Sequence, residues 1–295
     1  MSPRLRAREL LLALVVVAIW GTNFVVIEAG LRELPPMAFV LLRFVFCVFP
    51  FVLFIRRPHV PWRYLAAYGV LLGPGQFGFL FSAMRGDITP GLASVVIQSQ
   101  VFFTMAASAW LFGERLALRA VAGAFLGVAG LAAIGLHLGA SITPKGLAGV
   151  LGAGACWAGA NLVVKQASRT AATRVDPLAF VVWSSVFAVP PLLLLVALME
   201  DMAPALDAIN AASLGAWAAV AWQVLGNTLF AFAVWGWLLT RHDAAAVAPY
   251  ALLVPVFGMG SSTLLLGEPM QAWKLLAAAM VLAGIAVGTL PRRSR

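Results

Sequence analysis

The sequence predicts an all-α membrane protein whose ten transmembrane helices form two inverted five-helix repeats, residues 1–140 and 141–295. Three observations lead there. The chain is 62% hydrophobic and 11% charged with a mean hydropathy of +0.97, whereas a soluble domain is near half apolar and a quarter charged. Crossing a bilayer takes about 20 helical residues for about 30 Å, and such windows occur ten times, at 10–30, 35–55, 63–84, 90–112, 118–137, 145–166, 176–199, 213–239, 244–266 and 272–290. Segments of the first half also return in the second. SAWLFGERL at 108–116 matches STLLLGEPM at 262–270, and NFVVIEA at 23–29 matches NLVVKQA at 161–167. PMAFV at 36–40 matches PLAFV at 177–181, and GVAGL at 127–131 matches VLAGI at 281–285.

Span 1 follows Arg4, Arg6 and Arg8, a start like that of a signal peptide, but no small-residue cleavage site follows and the apolar run is too long. It is read as a retained span, with Trp20, Asn23 and Ile27 on one face. Span 2 opens at Pro36 and carries Arg43, whose counterpart in the second repeat is Ser184. Span 3 holds GPGQFG at 73–78, a formal GxGxxG that no strand precedes and no acidic residue follows at the right distance, so it is no dinucleotide site. Pro74 is a hinge candidate there, with a static kink as the alternative; Gln76 and Phe79 follow it. Span 4 has the amides Gln98 and Gln100, Phe102, and four hydroxyls at Ser94, Ser99, Thr104 and Ser108, with no charge before Glu114. Polar atoms in lipid are costly unless they face protein or water, so span 4 is expected to line something.

Span 5 spaces Gly123 and Gly127 as GxxxG, which suits close packing within the bundle or dimerisation, leaving monomer and homodimer both open. Span 6 repeats the span 1 pattern with Trp157 and Asn161. The longest connection, 200–212, contains Glu200, Asp201 and Asp207 and has no room for a soluble domain. Span 8 offers Gln223, Asn227 and Trp235. Span 9 offers Tyr250 and Phe257 with hinge candidates Pro249 and Pro255, and span 10 closes the chain.

Each repeat has an odd number of spans, so the second copy sits inverted relative to the first, the usual construction of secondary transporters with a site between the halves. The cations test the topology. Of twenty Lys and Arg residues, Arg32, Arg85, Lys145 and Lys274 fall on one side and Arg43 within a span. The remaining fifteen fall on the other side, which places both termini in the cytoplasm. The net charge of +9 lies in short connections, without the basic block and interleaved aromatics of a nucleic-acid binder.

Other chemistries find no residues. There is no Walker A pattern, and His59, His137 and His242 belong to no HExxH or Ser/His/Asp set. Cys47 and Cys156 lie in apolar runs without a CxxC pair and are read as packing residues. Neither enzyme, cofactor nor metal is indicated. Glu28, Glu114 and Glu268 lie toward helix ends and Asp87, Asp176 and Asp243 in loops, so proton antiport through a central carboxylate is disfavoured and facilitated movement fits better. Amides carry donors and acceptors together and can hold a zwitterion's ammonium and carboxylate without a buried full charge. For each amide the alternative is an interhelical hydrogen bond worth below about 1 kcal/mol. Arg43 is expected either to attract a substrate carboxylate or to bond backbone carbonyls or Glu28. A receptor or non-transporting subunit is the reading from another class, and no sequence feature favours it.

Ten spans in two halves, WGTNFV in span 1, the P-x-x-x-x-x-x-RF pattern at Pro36 to Phe44 and LFGERL closing span 4 together resemble the EamA-type transporters of the drug/metabolite transporter superfamily. LASVVIQSQVFFT and APYALLVPVFGM are most similar to bacterial exporters of amino acids and their metabolites. The resemblance implies location in the bacterial cytoplasmic membrane and a basket-shaped bundle in which spans 3, 4, 8 and 9 surround a central cavity. The implied pocket is Gln76, Phe79, Gln98, Phe102, Gln223, Asn227, Tyr250 and Phe257, with Trp20 and Trp157 at its edges. A multidrug or cationic-metabolite exporter would instead need aromatic walls and an acidic anchor. The second repeat departs from the pattern by lacking the Arg of the RF pair and by carrying Pro269 where the first has Arg115.

Overall fold

Apolar runs set where helices form, and the residues that bound them set where they stop. The computed structural model describes residues 5–114, 116–139, 141–171, 174–242 and 244–289. Among these, nine helices are long and apolar enough to cross a membrane: Ala7–Leu31, Pro36–Leu53, Trp62–Met84, Pro90–Phe112, Leu118–Gly135, Pro144–Thr170, Pro177–Met199, Leu214–Leu239 and Pro249–Leu266. Ala272–Gly288 is a tenth, shorter apolar helix. These are spans 1 to 10. Arg4, Arg115, Asp243, Arg292, Arg293 and Arg295 of the charge analysis lie outside the described residues.

Proline opens spans 2, 4, 6 and 7, where its missing N–H breaks no bond. Thr143, Asp176 and Ser213 cap spans 6, 7 and 8, each accepting from a backbone N–H of its own first turn. Spans 4 and 9 both stop at a glycine in the left-handed conformation, Gly113 (φ 64°) and Gly267 (φ 69°). The repeated Gly-Glu pair is thus a helix terminator followed by an acid. Two features depart from the expected pattern of plain spans and plain connections. The 200–212 connection contains a ten-residue helix, Met202–Ala211, and span 9 enters through a 3₁₀ stretch, Ala248–Leu253.

Spans 3, 4, 8 and 9 depart from α geometry along their length. Spans 3 and 8 are π-helical over Leu71–Gly78 and Trp222–Phe230. Span 4 breaks between Val96 and Ser99, and span 9 becomes α-helical only from Val254. The hinge candidates sit at two of these sites: Pro74 within the π stretch, Pro249 and Pro255 at the 3₁₀ stretch and the helix after it. By contrast, Pro190 and Pro191 lie inside span 7 without interrupting it.

Spans 5 and 10 pack on each other through Gly123 and Gly284. A Cβ on Gly123 would lie 2.3 Å from the Gly284 carbonyl oxygen, so only glycine permits this approach. The GxxxG spacing therefore serves packing within the chain here. Span 1 packs on span 9, span 2 on span 7 and span 4 on span 6.

Each end of the bundle is tied across the two halves of the chain. On the arginine-poor face, three carboxylates each reach a helix start in the other half. Glu33 accepts from Ser213 N and Oγ, both at 2.7 Å. Glu200 accepts from Met37 N at 2.7 Å and Ala38 N at 3.0 Å. Glu268 accepts from Gly91 N at 2.9 Å and from Thr89 Oγ1. Unpaired N–H groups and the helix dipole make such starts suitable anion partners. The arginine-rich face is tied by Glu9 to His242 at 3.2 Å, Glu114 to Lys165 at 2.6 Å and Arg169 at 3.2 Å, and Trp183 Nε1 donating to the Ile55 carbonyl at 2.9 Å.

Candidate substrate site

The π-helical turn of span 8 builds the polar centre. A π turn shifts backbone pairing by one residue, and side chains take up what it leaves. Thr228 Oγ1 donates to the Gln223 carbonyl at 2.7 Å, and Trp20 Nε1 donates to the Asn227 carbonyl at 3.3 Å. Gln223, Asn227 and Thr228 are all buried. Gln223 Nε2 donates to Asn23 Oδ1 of span 1 at 2.7 Å.

Arg43 enters this cluster from span 2. Its Nη1 donates to Gln223 Oε1 at 2.7 Å and its Nη2 to Thr228 Oγ1 at 2.8 Å. The Asn227 amide completes the set in the orientation that presents its oxygen to the guanidinium, accepting from Nη1 at 3.2 Å and Nη2 at 3.0 Å. The opposite orientation sets donors against donors. The guanidinium carbon lies 3.7 Å from the centroid of the Phe77 ring, within cation–π range. Arg43 is 1% exposed. Glu28 and backbone carbonyls, its expected alternative partners, are replaced by side chains of span 8, because the π turn swings Gln223 and Thr228 toward span 2. Among the described residues no carboxylate forms an ion pair with it, and its Nε has no hydrogen-bond partner. Charge-assisted bonds to neutral acceptors are worth about 1.5–3 kcal/mol each. They hold the cation in place and leave its charge uncompensated.

The other candidate residues scatter. Beyond its bond to the Asn227 carbonyl, Trp20 meets Trp235 at a tilt and Phe232 edge-on, with ring centroids 5.1 and 5.9 Å away. Asn161 bonds Gln100 at 3.0 Å and Thr104 at 3.3 Å, so it joins span 6 to span 4 rather than the Arg43 cluster. Gln76 is buried with its Oε1 unpartnered, and Gln98 is buried where span 4 breaks. The Phe102 ring fills the notch at Gly127 of span 5. Phe79 is half exposed, its ring 3.8 Å from where a Gly152 Cβ would be. Phe257 packs against Gly21, and Trp157 and Tyr250 are partly buried against the core. Sequence reasoning passed over Phe77 and Thr228; both look like ordinary span residues until the π turn and the Arg43 partner are known.

The acids at the arginine-poor face are tuned by their bonds. Burial pushes the Glu268 carboxyl up, but hydrogen bonds from Ser262, Thr89, Lys274 and Gly91 outweigh it and hold the group below the usual carboxylate value of 4.5. Burial prevails at Glu200, which stands above 4.5 despite the Met37 and Ala38 N–H groups. Among the described residues no three His, Cys, Asp or Glu side chains converge as a metal site. Cys47 is buried and Cys156 half-buried, both free thiols.

A multi-span apolar bundle that encloses a cationic amide cluster between its halves defines a multi-pass membrane protein of the transporter class. The chain belongs to the EamA-like transporter family, whose profile matches residues 7–136 and again 144–290. A relative in Salmonella typhimurium strain LT2, 37% identical and matched over 96% of this chain and 95% of its own, is named a probable amino-acid metabolite efflux pump. One in Escherichia coli strain K12 bears the same name at 33% identity over the same shares. A crystal structure 21% identical in sequence superposes with a TM-score of 0.62 over 97% of each chain, a likeness of fold.

Proposed function

We propose that this transporter exports small amino acids or related carboxylate-bearing metabolites across the bacterial cytoplasmic membrane, by facilitated alternating access between two inverted halves, 1–140 and 141–295. Both termini lie in the cytoplasm, with the arginine-rich face inward. The observation that carries the substrate class is Arg43, a buried guanidinium without a carboxylate partner, held by amides and a hydroxyl from the opposite half. An intramembrane cation is expensive and points to function, and a planar guanidinium fork matches a carboxylate. In a substrate-loaded state the carboxylate replaces Gln223 or Asn227 as the acceptor, and the released amide oxygens receive the ammonium. The names of the relatives point the same way for direction and substrate.

Counterflow of labelled amino acids into liposomes holding the purified protein tests this. Uptake driven by trans substrate alone is expected, with unlabelled amino acids competing and their decarboxylated amines failing to compete. Arg43→Gln should lower uptake by about tenfold or more, and Thr228→Val, which removes one anchor, should lower it less. Amines competing as well as amino acids would remove the Arg43 role. Absence of uptake for every amino acid, with activity for organic cations, would remove the substrate class.

A further inference from the structure

At the arginine-rich face, away from the Arg43 cluster, an open recess of about 430 Å³ lies between the connection of spans 2 and 3 and that of spans 6 and 7. Arg56, Arg57 and His59 line it from one side and Arg174 from the other. Asp176 is the one carboxylate among its lining residues, and its Oδ1 is occupied in capping span 7, accepting from Leu178 N at 2.8 Å. Three arginines thus line the recess with one committed acid, and Arg174 Nη2 also donates to the Leu239 carbonyl at 3.5 Å.

The recess is held rather than loose. Trp183 Nε1 of span 7 fixes the Ile55 carbonyl at 2.9 Å. Arg57 lies 4.2 Å over the Trp62 ring, and Trp62 meets Trp183 and Phe187 edge-on at 6.1 and 5.8 Å. Tryptophans so placed mark the bilayer interface. Immediately before the recess, Leu53 and Phe54 are 72% and 78% exposed, apolar surface that lipid would cover. Positive charge, interfacial depth and an apolar lip therefore coincide.

We propose that this recess is a phosphate-binding site that takes the headgroup of an anionic phospholipid from the adjacent leaflet. Guanidinium forks bind phosphate oxygens in pairs, and basic pockets between membrane helices suit anionic headgroups. The acyl chains run along Leu53 and Phe54. Because residues 55–59 belong to the first half of the chain and 174–179 to the second, a bound lipid bridges the two halves beside the contact of spans 2 and 7. The inference is independent of the substrate assignment.

The test is native mass spectrometry of the full-length protein in neutral detergent, titrated with phosphatidylglycerol or phosphatidylcholine. The wild type should retain one phosphatidylglycerol in preference to phosphatidylcholine. Replacing Arg56, Arg57 and Arg174 together by Gln should weaken that retention about tenfold or more, and replacing all three by Lys, which keeps charge but loses the fork, should weaken it less. Removing the same number of charges elsewhere on this face, with Arg6→Gln, Arg8→Gln and Arg241→Gln, should leave retention unchanged. Equal retention in the recess and control Gln variants, or equal loss, would overturn the site in favour of bulk charge. Should the Gln triple fail to fold, the Lys triple and the single Arg174→Gln carry the same comparison against control. Displacement of phosphatidylglycerol by inorganic phosphate at equal concentration would overturn the lipid assignment and leave a site for the free anion.

Discussion

Spans 4 and 9 end alike, at a left-handed glycine followed by glutamate, yet the two glutamates live in opposite surroundings. Glu268 is 8% exposed, bonds the start of span 4, and pairs at 3.0 Å with Lys274, itself 2% exposed. Glu114 is 40% exposed and pairs with Lys165 and Arg169, which are 32% and 48% exposed. The same left-handed glycine and acid therefore seal one face with a buried lock and fasten the other with a solvated clasp. Local sequence determined the turn; the neighbours each helix end meets determined the strength.

Removing the buried lock should have the largest effect. Lys274→Ala or Glu268→Ala leaves an uncompensated charge out of water and should cost about 3–5 kcal/mol in thermal unfolding of the detergent-solubilised protein. A loss no greater than that of Glu114→Ala would erase the distinction. Gly91→Ala comes next. Its Cβ would lie 2.7 Å from Glu268 Oε2, so the carboxylate must retreat, at about 1–3 kcal/mol; wild-type stability for this variant would show that the cap is not tight.

Acidity separates the carboxylates of that same face. Glu268, held below 4.5, contributes fully above that pH, and its contribution is lost as the pH falls through the lowered folded value. Glu200, held above 4.5, acts oppositely: the folded protein keeps a proton the unfolded chain has released, so stability declines as the pH rises from 4.5 through the raised value. In melting-temperature profiles, Glu268→Gln should flatten the limb below 4.5 and Glu200→Gln the limb above it. The smallest effect belongs to the clasp: Glu114→Ala should cost about 1 kcal/mol or less and lose even that in high salt.

Much of the bundle was legible because apolar length and helix punctuation are local properties. Pro36, Pro90, Pro144 and Pro177 open helices, and Gly113 and Gly267 close them, wherever the chain goes next. The candidate site was legible in part. Asn23, Arg43, Gln223 and Asn227 stood out as polar residues in apolar runs, and the structure brings these four together. Gln98 had the same look, and Phe79 and Phe102 were expected beside it, yet all three went elsewhere, since periodicity gives a helical face without saying what that face meets. The Arg43 partner escaped because nothing in WQVLGNTLF signals a π turn; no proline marks it, and α periodicity points its side chains differently.

Composition, span length, turn residues and the internal recurrence of motifs by themselves determined a multi-span helical membrane protein with repeated helix ends, because each depends on the solvent and on residues near in sequence. Tertiary structure alone decided which acid is buried and which exposed, that span 8 takes a π turn, and that Arg43 answers to Gln223 and Thr228 rather than Glu28. Those outcomes are set by contacts between residues up to 207 positions apart, and a sequence carries no local record of which helices will meet.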